Sequence, residues 1–307
     1  MAAYVMGRFL QAGLILIGVT LVAFFLLFVI PADPAQMMAG RGYTNEQTIA
    51  SIREQLHLDD PFFLQYFRYL GSLLQGDLGR SYLQKTEVSV LIWSRLPATL
   101  LLIAGAIFFE IVIGLTMGLF ASLHRGSKID QGLMVASFVF ASTPQFVIGI
   151  LLLYLFAVHL DWFPMGGYGT LAHLILPALT LGILGAGWYS RLMRSSMIDV
   201  LRQDFIRTAK AKGLRPATVV VIHALPNAIL PIVGLIGSDV GYFMSQTVVV
   251  ESVFGWPGVG QLAWQAIQRI DIPIIMGVTV VTACAVVLGN LVADLIAPLI
   301  DPRIKVR

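Results

Sequence analysis

The chain has 307 residues, 57% of them hydrophobic and 12% charged, where an ordinary soluble domain carries roughly a quarter charged residues. That balance, with a mean hydropathy of +0.83, excludes a single water-soluble core. The formal charge of +3 does not mark a nucleic-acid binder, because Lys and Arg fall in short segments between apolar runs rather than along one face.

A hydrocarbon core about 30 Å thick takes roughly 20 apolar residues in helix. Six runs have that character: Phe9–Ile30, Leu96–Leu123, Gly132–Val158, Leu171–Tyr189, Ala224–Val250 and Ile272–Ile300. The predicted fold is therefore an all-α integral membrane protein with six transmembrane helices. A barrel would need short alternating segments instead of continuous runs. The first run is too long for the apolar region of a signal peptide and no small-x-small site follows it, so an uncleaved anchor is expected. The layout predicted is an N-terminal helix over 1–31, an extended first loop over 32–95, and a five-helix core over 96–307 that contains a basic loop at 191–223.

Within the first loop, Thr44 to Leu56 reads as a short amphipathic helix capped by Thr44 or Asn45, with Ile49, Ile52 and Leu56 at helical spacing. Phe62, Phe63, Tyr66, Phe67 and Tyr69 follow. They suit a flap at the membrane interface, where aromatic rings settle, or a rim that docks a partner.

Most of the 20 Lys and Arg lie before the first run, in 124–128, in 191–215 and at the C-terminal end. By the positive-inside rule both termini and the loop 191–223 are expected in the cytoplasm. In that loop, Ser195 to Lys212 reads as an amphipathic helix, Gly213 as its stop and Pro216 as the first turn of the next helix. Such an element suits something outside the membrane that grips it; a basic helix resting on anionic lipid is the other reading.

The run Arg207-Thr208-Ala209-Lys210-Ala211-Lys212-Gly213, with Leu225-Pro226 further on, resembles the loop signature of binding-protein-dependent ABC importer permeases. That signature is Glu-Ala-Ala, three residues, Gly, nine residues, Ile, one residue, Leu-Pro. Ala209, Gly213, Leu225 and Pro226 stand at the expected intervals, while Arg207, Thr208 and His223 replace Glu, Ala and Ile, as is usual in the peptide and nickel branch. Asp33-Pro34-Ala35, Leu58-Asp59-Asp60-Pro61, Gly76-Asp77-Leu78-Gly79-Arg80-Ser81, the run Val253 to Gly260 and Asp301-Pro302-Arg303-Ile304 extend the resemblance over essentially the whole chain. It implies the type I importer fold, located in a bacterial inner membrane. It also implies a second homologous permease, two cytosolic ATPases that seat residues 207–213 in their clefts, and an extracytoplasmic substrate-binding protein. ATP and Mg would bind in the ATPases and no cofactor in this chain. No Gly-x-x-x-x-Gly-Lys-Ser/Thr loop occurs, so the chain is not expected to be the ATPase.

Ionisable residues inside spans invite a functional hypothesis. Glu110 lies mid-way along the second run, Asp239 in the fifth and Asp294 near the end of the sixth. Asp294, close to Arg303 and Lys305, is expected to be structural. Glu110 and Asp239 either line a translocation pathway and attract a cationic group, or fix packing through Asn227, Ser238, Gln246 or Asn290. Gly234, Gly237 and Gly241 would let another backbone approach. Pro144 and Pro177 are expected to bend their helices. The single Cys284 excludes an internal disulfide, the histidines show no metal-site spacing, and no nucleophile elbow or carboxylate pair points to a hydrolase.

These features favour an ABC permease for di- and oligopeptides. A nickel-chelate or glutathione permease is the nearest alternative. An ion-gradient-driven transporter would leave the rigid basic loop unexplained, and an intramembrane enzyme lacks its constellation.

Overall fold

The computed structural model describes residues 2–29, 35, 46–55 and 59–300. The Thr44–Asn45 cap, Asp33-Pro34, Leu58 and the terminal motif with Arg303 and Lys305 lie outside them. The described residues are helical almost throughout. Five helices are long and apolar enough to cross a membrane, and a sixth span exists if a sharply bent pair is counted as one.

The first, α1 (Ala2–Val29), is followed by α2 (Glu46–Gln55) and α3 (Phe62–Leu74). The aromatic edge of α3 packs on α1: the Tyr66 hydroxyl lies 3.1 Å from Thr20 Oγ1, and the Phe24 ring stands 5.4 Å from Phe62 and 5.6 Å from Tyr69. Phe63 and Phe67 remain exposed on the opposite edge, which fits either reading of this aromatic cluster. At the far end of α1, Arg8 pairs with Asp294 at 3.1 Å, so Asp294 ties the first helix to the last.

The core begins with α4 (Val88–Leu123), 36 residues long. It starts eight residues before the predicted span because Val88 and Ile92 are themselves buried against the last helix. The predicted third span is broken into α5 (Lys128–Ser142) and α6 (Gln145–His159), which meet at 107°. Pro144 stands at the break, extended at φ −57° and ψ 134°, as its missing N–H and rigid φ require.

The next helix, α7 (Leu171–Val200), overruns its predicted end at Tyr189 by eleven residues and continues through Pro177 without interruption. The expected single helix from Ser195 to Lys212 is therefore corrected. Met193 and Met197, fully buried on the inward face, carry α7 past Arg191 and Arg194. The chain then turns at 201–203, and α8 (Asp204–Ala211) starts afresh.

Beyond it run α9 (Pro216–Ala228), α10 (Leu230–Val253), α11 (Val259–Arg269) and α12 (Ile272–Ile300).

The tightest interface is α4 on α7, and small residues make it so. A Cβ placed on Gly182 would lie 2.8 Å from Phe109 Cβ, and one on Gly118 would lie 2.6 Å from Met193 Cβ. In a membrane, where lipid is as apolar as any side chain, this close backbone approach supplies the packing energy. Likewise Gly237 and Gly241 of α10 face Ala293 and Val286 of α12.

Two apolar cores result. One, around Leu102, Leu181, Phe243, Trp256, Leu262 and Ile274, fills the end near α11; the other, around Met193, Met197, Ile206, Ala209, Val219 and Ile232, fills the end near α8.

Candidate functional site

Two features stand out, one at an end of the bundle and one within it. At the end, α8 is short and two-faced. Ile206 and Ala209 turn inward onto Met193, Met197, Val219 and Ala224, with Ala209 only 6% exposed. Arg207, Thr208, Lys210, Ala211 and Lys212 are all exposed. Arg207 reaches Asp204 at 3.3 Å, and the Thr208 hydroxyl bonds the Asp204 carbonyl at 3.0 Å, so the outer face is braced within one turn. Gly213 follows at φ 74°, in the left-handed region that ends helices and favours glycine. Pro216 opens α9 in its first turn.

The resemblance seats Ala209, with the rest of 207–213, on the surface that meets a partner. Its burial corrects that expectation: a small side chain is needed there so that α8 can lie close on the chain's own core.

Between α4, α7 and α10 lies an open-mouthed cavity of about 640 Å³, lined by Glu110, Trp188, Tyr189, Arg191, Asp239 and Tyr242 among others. Glu110 and Asp239 thus meet at one place. Glu110 is 2% exposed, and its carboxyl occupies the space that a side chain at Gly185 would take. The Tyr189 hydroxyl donates to Asp239 Oδ2. Arg191 lies over the Trp188 ring at 4.6 Å and the Phe138 ring at 4.8 Å. Residues 207–213 are not part of this cavity.

Two of the four packing partners suggested for Glu110 and Asp239 are engaged elsewhere: Gln246 accepts from Gln145 Nε2 at 3.0 Å, and Asn227 donates to the His223 carbonyl at 2.8 Å. Sequence reasoning missed Tyr189, which stands 50 positions from Asp239 and ended a predicted span.

At the opposite end, buried Glu251 accepts from Thr99 Oγ1 at 2.7 Å and from the Gln261 N–H at 2.8 Å, while the Val259 N–H bonds Thr99 Oγ1 at 2.8 Å. Trp256 Nε1 donates to the Ala98 carbonyl at 2.9 Å. The Val253–Gly260 run is therefore folded around a carboxylate. Nearby, Asp271 accepts from Ser81 Oγ at 2.5 Å and from the Tyr82 and Leu83 N–H groups at 3.3 Å. Burial, and then the Asp271 charge, push the Tyr82 phenol up to about 12, so Tyr82 stays neutral.

Comparison with known proteins gives this arrangement its context. The family described as "Binding-protein-dependent transport system inner membrane component" matches residues 110–306, and its N-terminal companion matches residues 1–103. The chain belongs to this family. Among its relatives, the oligopeptide transport system permease protein AppB of Bacillus subtilis is 39% identical, over 99% of this chain and 100% of its own length. The di/tripeptide transport system permease protein DppB of Pseudomonas aeruginosa is 37% identical over 94% of each. The glutathione transport system permease protein GsiC of Salmonella typhimurium is 36% identical over 99% of each. Among solved structures, a chain of the inward facing MetNI methionine ABC transporter superimposes with a TM-score of 0.59, covering 68% of this chain and 96% of that one at 19% identity. The fold is thus that of an ABC transporter's membrane subunit.

Proposed function

We propose that this chain is one of two homologous permeases of an ABC importer for small peptides, moving them across a bacterial inner membrane by alternating access. Two cytosolic ATPases bind the ATP and Mg and drive the cycle, and an extracytoplasmic binding protein delivers the peptide. Both termini and α8 face the cytoplasm. Glu110 and Asp239 line the translocation pathway. The observation that carries this reading is α8 itself, a short helix whose inner face is seated on the core while Arg207, Thr208, Lys210, Ala211 and Lys212 are presented outward. A helix so held moves with α7 and α9 as a rigid body, which is what transmitting ATPase closure to the spans requires. The relatives named for oligopeptides and di/tripeptides support the substrate class; the relatives named for glutathione favour a second reading, in which the peptide carried is that thiol tripeptide.

The test is ATP hydrolysis by the assembled complex in lipid nanodiscs, with its binding protein loaded with alanyl-alanine. Stimulation several-fold over the unloaded receptor is expected. Hydrolysis indifferent to the loaded receptor would contradict the importer reading.

A further inference from the structure

The chain shows how it treats acids that serve its own packing. Asp130 is gripped by Arg194 at 2.6 and 2.7 Å and by the Gly126 N–H at 2.9 Å. Glu251 is held by Thr99 and Gln261, and Asp271 by Ser81, Tyr82 and Leu83. Glu110 is handled otherwise. It is 2% exposed, yet its Oε2 is buried without a hydrogen-bond partner among the described residues, and it sits at the wall of a cavity that Asp239 also lines. A buried acid left open costs stability and persists where something else completes it.

The geometry points to this cavity as a substrate subsite for a protonated primary amine, held between the carboxylates of Glu110 and Asp239. This deepens the importer reading and rests on it for the route by which the amine arrives. Gly185 leaves the room in which the Glu110 carboxyl lies. Tyr189, donating to one Asp239 oxygen, leaves the other for a ligand. Arg191 does not neutralise the pair: no ion pair joins it to either acid among the described residues, and its guanidinium is stacked on Trp188 and Phe138. The Tyr242 ring completes the wall, and ring faces attract ammonium groups. A cavity of about 640 Å³ falls within the 300–1,000 Å³ range typical of sites for small organic molecules and is far too large to cage a bare metal ion. The free α-amino end of a short peptide has the charge and donors this site lacks, and three N–H groups can serve both carboxylates at once. Tyr189 is a positioning residue, acting through Asp239.

The test is binding of alanyl-alanine and of N-acetyl-alanyl-alanine to the assembled complex in nanodiscs without its binding protein, read by saturation-transfer difference NMR. The free amine should give transfer that competes with n-butylamine, and the acetylated peptide roughly tenfold less, as loss of a charge-assisted contact implies. Asp239→Asn and Glu110→Gln should each erase the preference; Glu110→Asp, which keeps the charge, should retain part of it. Equal transfer from the two peptides in the unaltered complex overturns the subsite, and this comparison needs no variant to fold. An undiminished preference in Asp239→Asn overturns it as well. ATP-driven peptide uptake accompanied by equal transfer would remove the subsite and leave the importer, whereas amine-selective transfer without ATP-driven uptake would keep the subsite and remove the importer.

Discussion

Arg194 of α7 closes a two-point ion pair on Asp130 of α5, with Nε 2.6 Å from Oδ1 and Nη2 2.7 Å from Oδ2. The fork of a guanidinium matches a carboxylate in this way, and an ammonium cannot. Asp130 is nearly buried, and its Oδ2 also accepts from the Gly126 N–H at 2.9 Å, just ahead of its own helix.

Removing Asp130 therefore leaves Arg194 uncompensated and frees the start of α5. Asp130→Ala should lower stability by about 3 kcal/mol, the low end for a broken buried pair because Arg194 is partly exposed, seen as a lower melting temperature in detergent. Arg194→Lys should lose part of that, and the double variant Asp130→Ala/Arg194→Ala should cost less than the two single losses combined.

Gly213 sits at φ 74°, and a Cβ there would meet nothing within 4 Å. Any penalty for a side chain is thus backbone strain alone, about 1–2 kcal/mol for a β-branched residue in the left-handed region. Gly213→Val should leave the chain inserted in the membrane while reducing substrate-stimulated ATP hydrolysis of the complex. Gly213→Asn, which tolerates that region, should be nearly unaffected.

The two faces of α8 separate stability from coupling. Ala209→Glu places a charge among Met193, Met197 and Ile206, so the purified chain should melt at lower temperature. Lys210→Glu lies on the exposed face and should leave melting unchanged while the ATPase subunits dissociate more readily during size-exclusion chromatography. Equal melting of the two variants would contradict the inward placement of Ala209.

Much of this was legible in the sequence. Gly213 and Pro216 punctuate the loop as read because positive φ and a first-turn proline are local properties, and Pro144 breaks its span for the same reason. The end of α7 was not legible. Arg191 and Arg194 resemble the edge of a span, and no Gly or Pro marks the turn at 201–203. What carries the helix onward is the burial of Met193 and Met197, a tertiary effect. The direction of Ala209 was hidden for a related reason: an alanine in a basic helix reads as neutral until the core beneath it is seen. That Glu110 and Asp239 line one cavity, with Tyr189 bonded to Asp239, depends on which helices pack together, and no local spacing reveals that.

Orientation has its own test. In a Cys284→Ser background, Lys210→Cys should resist a membrane-impermeant maleimide added to intact cells, whereas Lys85→Cys should react. External labelling at position 210 would place α8 outside and reverse the topology.

In the importer proposed, ATP binding and hydrolysis outside this chain drive peptide movement through it. The most direct measurement is uptake of radiolabelled alanyl-alanine into proteoliposomes that hold the complete complex, with the binding protein outside and ATP inside, in the presence of ionophores that collapse every ion gradient. Uptake should require enclosed ATP, survive the ionophores and fall sharply in Gly213→Val. Uptake that continues without ATP and stops when the ion gradients collapse would contradict it.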